Sequence, residues 1–210
     1  YPDKRKIRTN PPARLWCTGS GQVRAEFTDA RGVFEENRDR WNEILDKRKM
    51  LNEEEQKNKA YEWLKERIYS FRKPCDLNCR FYDEKNYFGL NIRKYLWWSQ
   101  EGIMNHALLF MECGHRSKPM PVTVAFWQGG TCRLREHINW IRKACSEGRA
   151  VIVPDVSGVG GAAPNAFNSM PPSEFSGVIF KLAYDLIWLD DRIAAMRTYD
   201  TIRLLDMIEE

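Results

Sequence analysis

Two stretches decide the reading: Pro121-Val122-Thr123-Val124-Ala125-Phe126-Trp127-Gln128-Gly129-Gly130-Thr131, and Ala150-Val151-Ile152-Val153-Pro154-Asp155-Val156-Ser157-Gly158-Val159-Gly160-Gly161. Each is an apolar run that ends in glycines. Unbroken apolar runs suit strands covered on both faces, whereas a strand with one wet face alternates. Between them, residues 134–147 space Ile138, Ile141 and Cys145 at helical intervals, and Gly148 offers a stop. Residues 122–153 therefore predict a strand–helix–strand crossover, with a parallel pair and a right-handed connection.

Working outward, residues 92–100 begin with period-two alternation and are rich in aromatics, Glu101-Gly102 is a tight break, and residues 103–111 read as a second strand. Lys118-Pro119-Met120-Pro121 forms a turn into the first decisive stretch. Downstream, a Pro- and Asn-rich loop runs through Pro172, and residues 174–208 are helical, in two segments. Tyr184, Ile187, Trp188 and Asp191 lie on one side, and Ile193, Met196, Tyr199, Ile202, Leu205 and Met207 continue an apolar face.

Upstream, residues 33–50 read as a helix with Phe34, Trp41, Ile44, Leu45 and Arg48 on one face. Residues 52–71 read as a second, capped by Asn52 with Glu55 three positions on and ended by Pro74, with Tyr61, Leu64, Ile68 and Phe71 as its stripe. The pair predicts an antiparallel helical hairpin ahead of the sheet. Residues 15–27, with Gly19-Ser20-Gly21 in the middle, predict a small β-hairpin. The expected division is residues 1–74, an irregular segment plus the helical hairpin, and residues 75–210, an α/β domain.

Composition narrows the function classes. The 210 residues are 43% hydrophobic and 12% aromatic, enough for a real core. The net charge of +4 is mild, and the basic cluster Lys4-Arg5-Lys6 with Arg8 and Arg14 reads as a short terminal arm, so no nucleic-acid partner is expected. No apolar run approaches the ~20 residues of a membrane span, and no membrane partner is expected. The chain begins at Tyr1 rather than Met, as a processed or excised chain would. Cys17, Cys75, Cys79, Cys113, Cys132 and Cys145 are too scattered for a disulfide scaffold; free thiols, several buried, are the expectation.

Several motifs carry chemistry. Gly129-Gly130-Thr131 follows a buried strand at the edge where open α/β sheets bind ligands, and glycine lets backbone N–H groups approach an oxyanion. The same doublet also serves a plain strand-to-helix turn. Gly158-Val159-Gly160 with Ala163 fits G-x-G-x-x-A, but Pro164 and Asn165 argue against the helix that a dinucleotide site needs. No G-x-S-x-G occurs: Gly19-Ser20-Gly21 and Val156-Ser157-Gly158 fail the spacing, and Ser157 reads as a loop residue. Cys75, Cys79, Cys113 and His115 lack a strong zinc spacing, and no metal or cofactor is expected. His106, His115 and His137 fall too early in the chain for a hydrolase base. Trp97, Trp98 and Trp127 read as core.

An ordered series of segments resembles one family. Leu15-Trp16-Cys17-Thr18-Gly19-Ser20-Gly21-Gln22-Val23, Ser99-Gln100-Glu101-Gly102-Ile103, Pro121 to Thr131, Val153 to Gly160, and the helix carrying Met196-Arg197-Thr198-Tyr199-Asp200-Thr201-Ile202-Arg203-Leu204-Leu205-Asp206 resemble, in that order, large bacterial α/β-hydrolases of the acetyl xylan esterase-like group. The resemblance implies the N-terminal part of an α/β-hydrolase mixed sheet, with antiparallel first strands and then parallel ones. It also implies a serine hydrolase of carboxylic esters, acetylated carbohydrates among them, whose nucleophile, acid and base would all lie beyond Glu210. The chain alone would then be inactive, and its partners would be the ester substrate and the remainder of the hydrolase domain or a partner chain. Only the oxyanion contribution falls on these residues, as backbone N–H groups of Gly130 and Thr131. One such donor is worth roughly 2.7–4 kcal/mol of transition-state stabilisation. Gln128 stands where many relatives have His, and Ser157 where they have Arg. The competing expectations are a non-enzymatic binding or scaffold module on a degenerate hydrolase fold and, disfavoured by Pro164, a nucleotide-binding oxidoreductase.

Overall fold

The computed structural model describes residues 9–114, 119–166 and 169–209. They form two compact units, Tyr1–Ala60 and Tyr61–Glu210.

In the first unit, a 3-10 turn Pro12–Arg14 leads to a single helical turn, α1 (Val23–Glu26), and to α2 (Val33–Lys49). The hairpin expected over residues 15–27 does not form. The Glu26 carboxylate accepts the Gly19 N–H at 3.2 Å and the Ser20 hydroxyl at 2.6 Å, which folds the glycine-rich stretch back onto a helical turn instead of a second strand. Glu35 caps α2 by accepting the Gly32 N–H at 3.0 Å. The next helix, α3 (Glu53–Tyr69), begins in the first unit and ends in the second. It opens on the expected reciprocal cap: Glu55 N–H donates to Asn52 Oδ1 at 3.0 Å and Asn52 N–H to Glu55 Oε2 at 2.9 Å. Neither α2 nor α3 has a buried residue. Phe34 is 70% and Trp41 53% exposed, so the stripes read on these helices reach no core.

The second unit holds a mixed sheet in the order β1-β2-β3-β5-β4: β1 (Arg80–Tyr87), β2 (Leu90–Gln100), β3 (Ile103–Glu112), β4 (Val122–Val124) and β5 (Ala150–Asp155). The pairs β1–β2, β2–β3 and β3–β5 are antiparallel, and β4–β5 is parallel, as the crossover predicts. The edge strand β1 carries no decisive pattern; apart from Asn86 its residues are charged or aromatic, most are exposed, and a bulge interrupts it at Phe81/Asp83. Strand β4 is shorter than the apolar run suggested, and β5 is longer, with all six residues buried.

One face of the sheet packs on α4 (Leu134–Ser146), where Ile141 and Cys145 meet Leu90, Phe110, Val151 and Val153. The other packs on α6 (Ile193–Glu209), where Leu204 and Met207 meet Trp97, Ala107 and Ile152. The inward stripe of α6 is Ala195, Tyr199, Asp200, Leu204 and Met207. Leu205, expected on that face, is 46% exposed, because the true stripe follows Leu204 and admits a buried aspartate. The preceding helix, α5 (Val178–Trp188), is separated from α6 by a turn with Asp190 at φ 58°. There the carboxylate of Asp191 is buried against the guanidinium of Arg72 at 2.7 Å. The side read from Tyr184, Ile187 and Trp188 faces solvent. Among the described residues no helix is long and apolar enough to cross a membrane.

Candidate functional site

Because β4 and β5 run parallel, the turns that follow them emerge side by side at the carboxyl edge of the sheet. The turn after β4 places Gly129 at φ 83° and Gly130 at φ 50°. It is closed by the Trp127 indole N–H, which donates to the Gly130 carbonyl at 2.6 Å. The turn after β5 carries Ser157 to Gly161 and ends in a 3-10 turn, Gly160–Ala162, rather than the helix of a dinucleotide fingerprint.

Between the two turns lies Asp155, the last residue of β5, with no exposed surface. Its Oδ1 accepts the Thr131 N–H at 2.7 Å, and its Oδ2 accepts the Gly161 N–H at 2.6 Å and the Thr131 hydroxyl. The sheet register pairs His106 with Asp155, and the His106 Nε2 lies 3.1 Å from the same Oδ2. A Cβ on Gly130 would sit 1.9 Å from Asp155 Oδ1, and one on Gly160 2.2 Å from it. Both positions are left-handed, so two turns close over one carboxylate only because neither carries a side chain there.

Burial, reinforced by Lys94 and opposed by Asp155, holds the His106 imidazole below its ordinary range. The buried Nδ1 has no hydrogen-bond partner among the described residues.

A second buried carboxylate braces the next step of the chain. Asp200, fully buried on α6, accepts the Ser157 N–H at 2.9 Å through Oδ2, while its Oδ1 has no partner among the described residues. One helical turn earlier, Arg197 donates from Nε to the Ser157 carbonyl at 3.0 Å. Burial pulls the Arg197 guanidinium down from its ordinary value, with Asp200 opposing.

Between the turns opens a cavity of about 950 Å³, lined by Trp127, Gln128, Gly129, Gly160, Arg133 and Arg197, among others. Arg133 is paired with Glu136 at 2.8 Å, and His137 stacks on Trp127 with ring centroids 4.1 Å apart. Gln128 and Gly129 face this space. The two N–H groups expected to face an oxyanion are engaged inside the protein: Gly130 donates to the Trp127 carbonyl at 3.2 Å and Thr131 to Asp155.

Other readings also find their places. Ser157 lies in the turn after β5, as read, but is buried there, and its hydroxyl has no partner among the described residues. Trp97 is core, at 1% exposure, whereas Trp127 is half-buried in the cavity wall. None of the six cysteines is in a disulfide, and Cys145 alone is buried; burial pushes its thiol up to about 11. Of the set Cys75, Cys79, Cys113 and His115, His115 lies outside the described residues, as do Lys4, Arg5, Lys6 and Arg8. The residues that sequence reasoning missed are His106, Asp155, Arg197 and Asp200. The available signals were an aspartate ending an apolar run and another inside an apolar helix stripe.

No protein-family model matches the chain, and no curated protein matches it in sequence. Solved structures do match. One is a Bacteroides fragilis protein assigned as an acetyl xylan esterase, at 12% identity and TM-score 0.56 over 74% of this chain and 43% of that one. Another is an acetyl xylan esterase from Paenibacillus sp. R4, at 21% identity and TM-score 0.47 over 71% and 45%. A third is acetyl xylan esterase 1 from Thermoanaerobacterium sp., at 15% identity and TM-score 0.44 over 70% and 44%. The chain thus spans less than half the length of the structures it matches. The fold assignment rests on the first overlap and the strand order: the sheet and its helices have an α/β-hydrolase fold, as in that acetyl xylan esterase-like structure.

Proposed function

We propose that this chain forms the oxyanion side of the active site of a carboxylic-ester hydrolase acting on acetylated carbohydrates. The observation that carries the reading is a parallel strand pair whose glycine turns flank a large cavity at the carboxyl edge of a hydrolase sheet. In such a site the turn after β4 would polarise the ester carbonyl. Gln128 and Gly129 line the cavity and are the turn's candidate donors, while Gly130 and Thr131 hold the turn against Asp155. No residue among the 210 stands in a G-x-S-x-G setting. The attacking serine, its base and the orienting acid would therefore come from polypeptide outside this sequence, and the chain alone would not turn over ester.

The test is to express the native reading frame through and beyond Glu210, assay hydrolysis of p-nitrophenyl acetate, and label with a fluorophosphonate. Hydrolysis with the label on a serine beyond Glu210 is the expected result; a label on a serine within these 210 residues, or no hydrolysis by the longer protein, overturns it.

One observation favours a second reading. With the Gly130 and Thr131 N–H groups both engaged, the turn is built as a rigid wall, which also suits a non-enzymatic binding module. That reading expects ligand binding by a native protein that neither hydrolyses ester nor takes the label.

A further inference from the structure

The charges lining the cavity do not cancel. Arg133 and Glu136 form a pair at 2.8 Å, which leaves Arg197 as the uncompensated charge among the arginine and acidic residues of the wall. Other arginines with little exposed surface in this unit are matched: Arg72 to Asp191 at 2.7 Å, Arg93 to Glu84 at 3.0 Å and Arg203 to Asp206 at 2.6 Å. Among the described residues, no carboxylate lies within ion-pair distance of Arg197. The nearest candidate, Asp200, directs Oδ2 to the Ser157 N–H instead.

The guanidinium is also fixed. Its Nε is anchored on the Ser157 carbonyl at 3.0 Å, so the two terminal nitrogens form a fork whose direction is set by the backbone of the turn after β5. A pre-oriented fork loses little freedom when it takes a planar carboxylate in two parallel hydrogen bonds. Arg197 also borders a smaller, mainly apolar recess of about 430 Å³ that shares Trp127 and Val159 with the main cavity. An anion seated on the guanidinium therefore has a larger space of mixed lining on one side and a smaller, mainly apolar one on the other. Burial disfavours the free cation and Asp200 opposes it only in part, so an incoming anion would relieve the remaining cost.

We propose that Arg197 makes this cavity a receptor for a carboxylate-bearing ligand. For the hydrolase reading, on which this clause rests, the substrate class becomes an ester of an acidic, carboxylate-bearing sugar. The same chemistry would also seat the acid released from an ester, and the probes separate the two sources.

The experiment is calorimetric titration of the 210-residue chain with D-glucuronate, with methyl glucoside as the neutral ring and with acetate as the ringless acid. Glucuronate is expected to bind at least about tenfold more tightly than methyl glucoside, the size of one charge-assisted contact, and to weaken as salt is added. Arg197→Gln should remove that advantage. Arg197→Lys, which keeps the charge and loses the fork, should retain part of it. If Arg197→Gln does not fold by circular dichroism, Arg197→Lys and the salt dependence decide. Acetate binding as tightly as glucuronate supports the carboxylate seat and assigns it to the released acid. Equal binding of glucuronate and methyl glucoside, no binding of any probe, or unchanged affinity in the folded variants overturns the proposal. Because no step depends on hydrolysis, glucuronate binding by a native protein inactive on ester would sink the hydrolase reading alone, and ester hydrolysis without carboxylate preference would sink this one alone.

Discussion

Carboxylates organise backbone in both halves of this molecule, but under opposite conditions. In the first unit Glu26, Glu35 and Glu55 gather N–H groups at the starts of turns and helices that bury no side chain. At the carboxyl edge of the sheet Asp155 does the same for two turns at once, with no water contact. In water a lost acceptor is replaced by solvent, so the cap sets where a helix begins and contributes about 1 kcal/mol. In the dry interior each orphaned donor keeps its full desolvation penalty, about 1–3 kcal/mol. The caps adjust local structure, whereas Asp155 is a condition for the cavity to exist.

The largest effect should come from Asp155→Ala. It orphans two backbone N–H groups and the Thr131 hydroxyl and removes the contact to His106, and a loss of about 3–5 kcal/mol is expected, as for breaking a buried charged network. Urea unfolding measures it, and a loss below about 1 kcal/mol would mean that the network is not the keystone. Gly130→Ala should cost less, about 1–3 kcal/mol, because the added Cβ meets Asp155 Oδ1 at a strained backbone position. Amide exchange should then show protection lost at Thr131 and Gly161 before the centre of β5 opens. Simultaneous loss across β5 would mean that the turns and the strand open as one unit.

The same network gives a pH dependence whose sign is fixed. The folded-state pKa of His106 lies below the ordinary histidine value of 6.5, because the ring is buried. In the window just below that value the unfolded chain binds the proton and the folded one does not, so stability is full above it and falls on acidification through it. Comparing urea midpoints at pH 7.5 and pH 5.5 in the parent and in His106→Gln isolates the contribution: the parent should lose more on acidification. An equal loss in both would place the proton on another group.

The sheet was legible because it is specified by pattern. Continuous apolar runs mark buried strands and the glycines mark where they must turn, so the order strand, helix, strand of Val122–Val124, Leu134–Ser146 and Ala150–Asp155 follows from spacing, although the ends of both strands differ from the apolar runs. The site was legible only in part. Glycine doublets announce a close approach but not what approaches; here it is an internal carboxylate, and that carboxylate is reached by register, which pairs His106 with Asp155 across strands. Spacing along one strand cannot show a cross-strand pair. The stripe of α6 was met at Tyr199 and Met207 and missed in between for a related reason. An apolar face was sought, while the buried one includes Asp200, whose partner is the Ser157 N–H, 43 residues earlier in the chain.

The smallest effects belong to the first unit. Asn52→Ala should cost about 1 kcal/mol, the ordinary value of a lost cap, read best as faster exchange in the first turn of α3 rather than as a shift of a global midpoint. Trp41→Ala on α2 should change stability by no more than about 0.5 kcal/mol, because a ring left half in water has little transfer free energy to lose. That near-zero value is the sharpest check on the contrast, since Trp41 is among the residues that sequence periodicity places on one face with Phe34, Ile44, Leu45 and Arg48. A cost of about 2 kcal/mol or more would mean that the ring is buried in the working protein, that α2 is packed there, and that hydrophobic burial as well as capping holds the first unit.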